Sequence, residues 1–267
     1  IKTSNVRKLI AEISYFFYPK SLNEMVAITG TNGKTSVAEY VRQIWNIQKK
    51  SCCSIGTLGI IYGKKKIYET NLTTPEPHKI NRSLSLLSKK GCKNAVFEAS
   101  SIGLDQNRLF PFKFNKVVFT NLTIDHLDYH KSFKKYKHSK GLLFKSYTNE
   151  NSVGIINADS KYSKFFVEIC KKEKIEMIDF GKNASFLKIT KINKLDKIFN
   201  VFLSVKNKEF NIFLESFSVY EIYNKICALL IIFGKSLKEK DFQILKKLKN
   251  PPGRIEKINN KKFFFKK

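Results

Sequence analysis

Short apolar runs alternate with helical repeats along most of the chain. Met25-Val26-Ala27-Ile28 is an apolar run that stops at Thr29-Gly30, as a buried strand entering a turn does. From Thr35 onward Val37, Tyr40, Val41, Ile44 and Trp45 recur at helical spacing. Further along, Cys52–Ile60 reads as a strand, His78–Ser88 as a helix, and Ala95–Phe97 and Lys116–Phe119 as strands. Tyr136–Phe144 then reads as a helix and Val153–Ile156 as a strand. This alternation predicts an α/β fold, a doubly wound and mostly parallel sheet flanked by helices. Residues 184–215 depart from it. There Phe186–Lys191, Ile198–Val205 and Glu209–Leu214 alternate in polarity across short polar turns, which predicts a small antiparallel meander. Tyr220–Phe233 and Asp241–Leu248 read as helices, and Asn250-Pro251-Pro252-Gly253 as a breaker. Ahead of all this, Val6–Ile13 is a short apolar helix pattern that Pro19 ends.

The 267 residues are 42% hydrophobic and 27% charged, which is the usage of a folded chain. The longest wholly apolar run, Ile226–Phe233, is far shorter than the roughly 20 residues of a membrane-spanning helix, so no membrane association is expected. Five cysteines without a C-x-x-C pair point to a reducing, cytoplasmic setting and away from zinc. The net charge is +28, yet only five of the 50 basic residues are Arg, and the Lys are spread along the whole chain. Nucleic-acid readers concentrate Arg beside aromatics. The charge is therefore read as compositional, with no nucleic-acid partner, although it favours anionic substrates such as nucleotides.

Three clusters carry chemistry. Gly30-Thr31-Asn32-Gly33-Lys34-Thr35-Ser36 lies between a strand and a helix. Its glycines let successive N–H groups face one phosphate at a helix N-terminus, Lys34 can reach the β and γ phosphates, and the Thr35 hydroxyl can ligate Mg²⁺. Ile28 stands where the full Walker pattern has its first Gly, so the loop is a shortened variant. Glu98 ends an apolar strand beside Ala99-Ser100-Ser101, at the edge where open α/β sheets bind ligands, and is placed to hold Mg²⁺. Thr120–His130 follows the next strand and contains three candidate cation ligands, Asp125, His126 and Asp128. His126 and His130 have a zinc-helix spacing but lack the H-E-x-x-H glutamate, and His130 is expected to make a helix-start hydrogen bond.

These clusters, with Leu72-Thr73-Thr74-Pro75 and Glu98–Arg108, resemble the Mur ligases, in order and spacing those of the MurE type, over nearly the whole chain. The resemblance implies an ATP-dependent amide ligase of peptidoglycan precursor synthesis. Such an enzyme joins a third amino acid, meso-diaminopimelate or L-lysine, to UDP-N-acetylmuramoyl-L-alanyl-D-glutamate through an acyl phosphate. It implies a cytoplasmic monomer whose residues 1–21 end a UDP-binding domain, 22–250 form the catalytic domain, and 251–267 lead into a further domain. It implies ATP contacts from Gly30 to Ser36 and from Asn224, and substrate contacts from Thr73, Thr74, Ser100, Gln106 and Arg108. Mg²⁺ would be held by Thr35, Glu98 and His126, with Lys140 as a carbamate. Three positions depart from the family pattern. Ile102 stands for a usual His, Leu72 for an Asn, and Glu221 for an Asn or Gln. The alternatives are a folylpolyglutamate synthase-like ligase, a P-loop module that binds nucleic acid, and a non-catalytic nucleotide-binding fragment.

Overall fold

The structure is a computed structural model that describes residues 3–253. Residues 254–267, most of the expected 251–267 lead-out, lie outside the described residues.

Helix α1 (Val6–Phe17) is capped by the Asn5 side chain, which accepts from Lys8 N at 2.9 Å. Strand β1 (Glu24–Thr29) feeds α2 (Lys34–Ile47). Then come β2 (Cys52–Gly56), β3 (Gly59–Tyr62), β4 (Lys65–Tyr68) and α3 (Pro77–Lys89). β5 (Asn94–Glu98), α4 (Ser101–Asp105), β6 (Lys116–Phe119), the single turn α5 (Leu127–His130) and α6 (Phe133–Ser146) follow. The remainder is β7 (Val153–Asn157), α7 (Ser163–Lys172), β8 (Glu176–Gly181), β9 (Leu187–Leu195), β10 (Ile198–Val205), β11 (Lys208–Glu215) and α8 (Val219–Phe233), closed by 3₁₀ segments at Gly234–Ser236 and Glu239–Lys247. No helix among the described residues is long and apolar enough to cross a membrane.

All the strands join one sheet in the order β11-β10-β9-β8-β7-β6-β1-β5-β2-β3-β4. From β9 to β2 the neighbours are parallel, and antiparallel hairpins finish both edges. β1 sits between β5 and β6, pairing Val26 with Val96 on one side and with Lys116 on the other. Its side chains alternate between two cores, as a two-residue period requires. Val26 and Ile28 join the layer built from α2 and α8, while Ala27 joins the aromatic layer of Phe97, Phe112, Phe114 and Phe119. The chain leaves β1 toward β2, returns to β5, then crosses to β6. Strand order therefore reverses at β1, and the loops beyond β1, β5 and β6 meet at the sheet's carboxyl edge, where such folds bind ligands.

The expected meander is present, and it continues the main sheet because β9 pairs with β8 in parallel. Two readings are corrected. Cys52–Ile60 is a hairpin, turning at Thr57-Leu58 between Gly56 and Gly59, the latter with φ +98°. Residues 241–248 lie mostly in a 3₁₀ segment. Phe242, Leu245 and Leu248 are all buried, and their spacing of three is the 3₁₀ period. Helix α1 packs on this body, with Tyr15 edge-on to Phe112 at 5.1 Å and Asn81 reaching Ser14 Oγ at 3.4 Å.

Candidate nucleotide-binding site

The loop between β1 and α2 is fastened from behind by the segment after β6. Thr31 N donates to Asn121 O (2.9 Å), Asn32 N to Asn121 Oδ1 (3.0 Å), and Thr120 Oγ1 to Asn32 O (2.7 Å). Gly33 has φ +87°, and a Cβ there would lie 2.6 Å from Asn224 Oδ1, so the loop passes too close to α8 for a side chain. Lys34 folds back to donate to Gly30 O (2.8 Å) and Thr31 O (2.9 Å). Thr31 to Ser36 line a cleft of about 440 Å³, and Asn224 closes its far side.

Glu98 is buried at the end of β5 and lines the same cleft. Its Oε2 accepts from Thr35 Oγ1 at 2.8 Å. Burial raises its carboxyl pKa, opposed by hydrogen bonds from Thr35 and Thr57 and by the Lys34 charge. A Cβ on Gly56 would lie 2.1 Å from Glu98 Oε1, so the backbone turn wraps the carboxylate. One hydroxyl and one carboxylate beside a phosphate loop form a donor set that suits Mg²⁺, which takes one or two carboxylates with phosphate oxygens and waters.

Lys140 is 1% exposed, and its Nζ donates to Gly30 O at 2.8 Å, the acceptor that Lys34 also uses. Burial, then the Lys34 charge, holds its pKa well below the lysine range, with Asp125 opposing. Tyr136, one helical turn earlier, hydrogen-bonds Thr31 Oγ1 at 2.8 Å and carries the Lys140 ammonium 4.7 Å from its ring centroid. His126 stands apart. It is not among the residues lining the cleft, its side chain is half-exposed, and its Nε2 lies 3.5 Å from Asp125 Oδ2. Its ring meets Tyr136 at 6.3 Å. Among the described residues no three His, Cys, Asp or Glu side chains gather to hold a metal. The expected helix-start bond of His130 is absent too. Ser132 caps α6, and the buried His130 Nδ1 lies 3.4 Å from Ser139 Oγ.

The substrate-side candidates come together, but they bond to one another. Arg108 donates to Thr74 O (2.8 Å) and to Gln106 Oε1 (2.6 Å from Nη2), and it pairs with Glu76 at 3.4 Å. Thr74 Oγ1 donates to Glu98 O (2.7 Å) and accepts from Ser100 N (2.9 Å). Thr73 lines the cleft, 3.3 Å from Thr57 Oγ1. Of the three departures, Glu221 is buried at the cleft's rear, where Lys225 meets it at 2.8 Å. Burial alone would raise its carboxyl, yet hydrogen bonds from Lys225 and Phe217 N keep it below the usual range. Leu72 is partly exposed at 38%.

Several lining residues were not singled out from the sequence, among them Thr57, Tyr40, Ser218, Tyr220 and Asn250. Tyr40 donates to Asn250 Oδ1, and Gln43 exchanges two bonds with the Lys249 backbone (2.8 and 2.9 Å), so α2 holds residues 249–250 against the cleft. A Gly-x-x-Gly turn after a strand was the one available signal for Thr57. The Tyr40–Asn250 contact spans most of the chain and left no local signal.

Comparison with known proteins places the chain in a family. Residues 28–232 match the family model of the Mur ligase middle domain. The UDP-N-acetylmuramoyl-L-alanyl-D-glutamate--2,6-diaminopimelate ligase of Rickettsia bellii (strain RML369-C) is 33% identical over 268 residues, covering 99% of this chain and 56% of the relative. The chain thus spans just over half the length of that relative. A solved structure of a ligase with the same name superposes with a TM-score of 0.85 at 24% identity, covering 97% of this chain and 54% of that one. The apo form of L. casei FPGS superposes with a TM-score of 0.74 at 14% identity, covering 97% and 71%. The two superpositions show a shared fold, and the family match extends from the end of β1 through nearly all of α8, so this chain belongs to the Mur ligase middle-domain family.

Proposed function

We propose that the chain is the ATP-binding part of a cytoplasmic, monomeric ligase of peptidoglycan precursor synthesis. The ligase would join 2,6-diaminopimelate or L-lysine to UDP-N-acetylmuramoyl-L-alanyl-D-glutamate. The observation that carries this reading is the convergence of Lys34, Thr35 and Glu98 on one cleft at the point where strand order reverses, with Lys140 bonded to the same loop at Gly30 O. In this reading residues 1–21 end a UDP-binding unit, 22–250 are the catalytic unit, and 251–267 lead onward.

The D-glutamyl carboxylate attacks the γ-phosphorus of ATP, ADP leaves, and an acyl phosphate forms. The amine of the incoming amino acid attacks the acyl carbon, phosphate leaves, and the amine's proton is released. Lys34 exchanges its two loop carbonyls for phosphate oxygens, and the loop's N–H groups and the start of α2 hold the anion. Asn224 borders the nucleoside. Thr35 and Glu98 would hold Mg²⁺, which when bound would supply charge to offset that of the phosphates. In the same reading Lys140, as a carbamate, would serve a second metal position, which His126 could join only by leaving its present half-exposed place beside Asp125. The depressed pKa of Lys140 supports that role, since only a neutral amine takes up CO₂. Thr73, Thr74, Ser100, Gln106 and Arg108 face the muramoyl peptide. The folylpolyglutamate synthase branch is the weaker reading, since FPGS matches at 14% identity and shares the fold, while relatives at 33% carry the diaminopimelate-ligase name.

Calorimetric titration with Mg·ATP tests the nucleotide half of this reading. Lys34→Ala removes a charge-assisted contact worth about 1.5–3 kcal/mol, so affinity should fall about ten-fold or more. A folded Lys34→Ala chain that binds Mg·ATP as tightly as wild type would refute it.

A further inference from the structure

Thr57 lies on the turn between β2 and β3 and reaches into the nucleotide cleft. Its backbone N donates to Glu98 Oε1 at 2.8 Å, and its hydroxyl lies 3.1 Å from Glu98 Oε2. A single residue therefore grips both oxygens of the buried carboxylate. The approach of the same turn at Gly56, too close for a Cβ, shows that the grip is built into the backbone. The Thr57 hydroxyl is also 3.4 Å from Thr35 Oγ1 and 3.3 Å from Thr73 Oγ1.

A hydroxyl has one proton to give. With Glu98 ionised, the carboxylate is the strongest acceptor within reach of Thr57, and a charge-assisted bond to it outweighs a neutral one to Thr73 or Thr35. The bond from Thr57 keeps Glu98 in place when the Thr35 hydroxyl turns its lone pairs to a cation and gives up its own bond to Oε2.

We propose that Thr57 is a positioning residue of the cation site: its amide and hydroxyl fix the Glu98 carboxylate so that Thr35 and Glu98 can hold Mg²⁺ together beside the nucleotide. The proposal rests on the assignment of Thr35 and Glu98 to Mg·ATP made above. It makes Thr57 matter for the part of nucleotide affinity that depends on Mg²⁺ and leaves the metal-free part to Lys34 and the loop amides.

The test is calorimetric titration of this chain with ATP, once with excess Mg²⁺ and once with a chelator. The quantity read is the ratio of the two affinities. Thr57→Val keeps the backbone N–H and the side-chain volume but removes the hydroxyl. It should lower the ratio about three- to ten-fold while metal-free ATP binds as in wild type. Thr57→Ser should restore the ratio. Thr57→Ala provides the same deletion without an added methyl, should the Val chain lose its near-ultraviolet circular dichroism. A Thr57→Val chain with the wild-type ratio overturns the proposal. So does one that weakens both affinities equally, which is what a loosened cleft would do. A wild-type chain that binds ATP equally with and without Mg²⁺ overturns the metal assignment itself, and the role of Thr57 falls with it.

Discussion

Two polar walls, one lining the nucleotide cleft and one outside it around Arg108, are built on different plans. On the nucleotide wall, Lys34, Thr35 and Glu98 line the cleft, the loop is braced from behind by Thr120 and Asn121, and the carboxylate is braced from within by Thr57. On the other wall the polar groups satisfy one another. Arg108 holds Gln106 and Thr74, Gln106 reaches Tyr129 at 3.2 Å, and Tyr129 reaches Asp105 at 2.9 Å. The first wall gives up only the bonds of Lys34 to two loop carbonyls and of Thr35 to Glu98 when a ligand enters, and its braces stay in place. The second must exchange internal bonds for a ligand, so its residues carry stability as well as recognition.

The largest contrast lies where the walls meet, at Lys140. With ¹³C-labelled bicarbonate, the chain should show a carbamate carbon signal in NMR that grows when Mg·ATP is added. Lys140→Arg should abolish it entirely, since a guanidinium does not take up CO₂. Burial and the Lys34 charge hold the pKa of Lys140 well below the usual lysine range, which favours the neutral amine over that of a surface lysine, and the signal should fade as pH drops. An identical signal in the Arg variant would assign it to another lysine. Next in size is Arg108→Ala. It strips a nearly buried guanidinium from three acceptors and should cost about 3 kcal/mol of stability, read from the urea midpoint, while Mg·ATP affinity changes less than two-fold. Parallel losses of stability and nucleotide affinity would erase the distinction between the walls. The smallest is Tyr136→Phe, which removes the hydroxyl bonded to Thr31 and should cost about 1 kcal/mol. Its effect on Mg·ATP affinity should stay well below that of Lys34→Ala.

The nucleotide wall was the more legible of the two because its signals are local. A strand, a Gly-rich loop and a helix occupy consecutive residues, and Glu98 ends an apolar run. The buried state of Lys140 could not be read from spacing in so lysine-rich a chain; only the resemblance singled it out. Thr57 was lost because Cys52–Ile60 is apolar enough to pass for one strand, which hid the turn at Gly56-Thr57-Leu58-Gly59. Asn250 was seen only as part of a breaker, since its partner Tyr40 lies near the other end of the chain. His130 misled for a related reason. Its place at a helix start was visible, but the capping role belongs to Ser132, and the imidazole turns inward to Ser139 on the neighbouring helix.

The strand order also sets a timetable. β1 leaves the ribosome before the strands that flank it, which pair through Asn94 and Lys116, and Asn224 follows later still. Roughly 190 residues separate Lys34 from Asn224, so at about 5–20 residues per second the loop waits on the order of 10–40 s for its far wall. Contacts this distant in sequence also fold slowly. A nucleotide that recognises only the finished cleft comes too late to guide its assembly. It stabilises the native state by mass action, and its kinetic effect should therefore be on the unfolding rate, leaving the rate of folding unchanged.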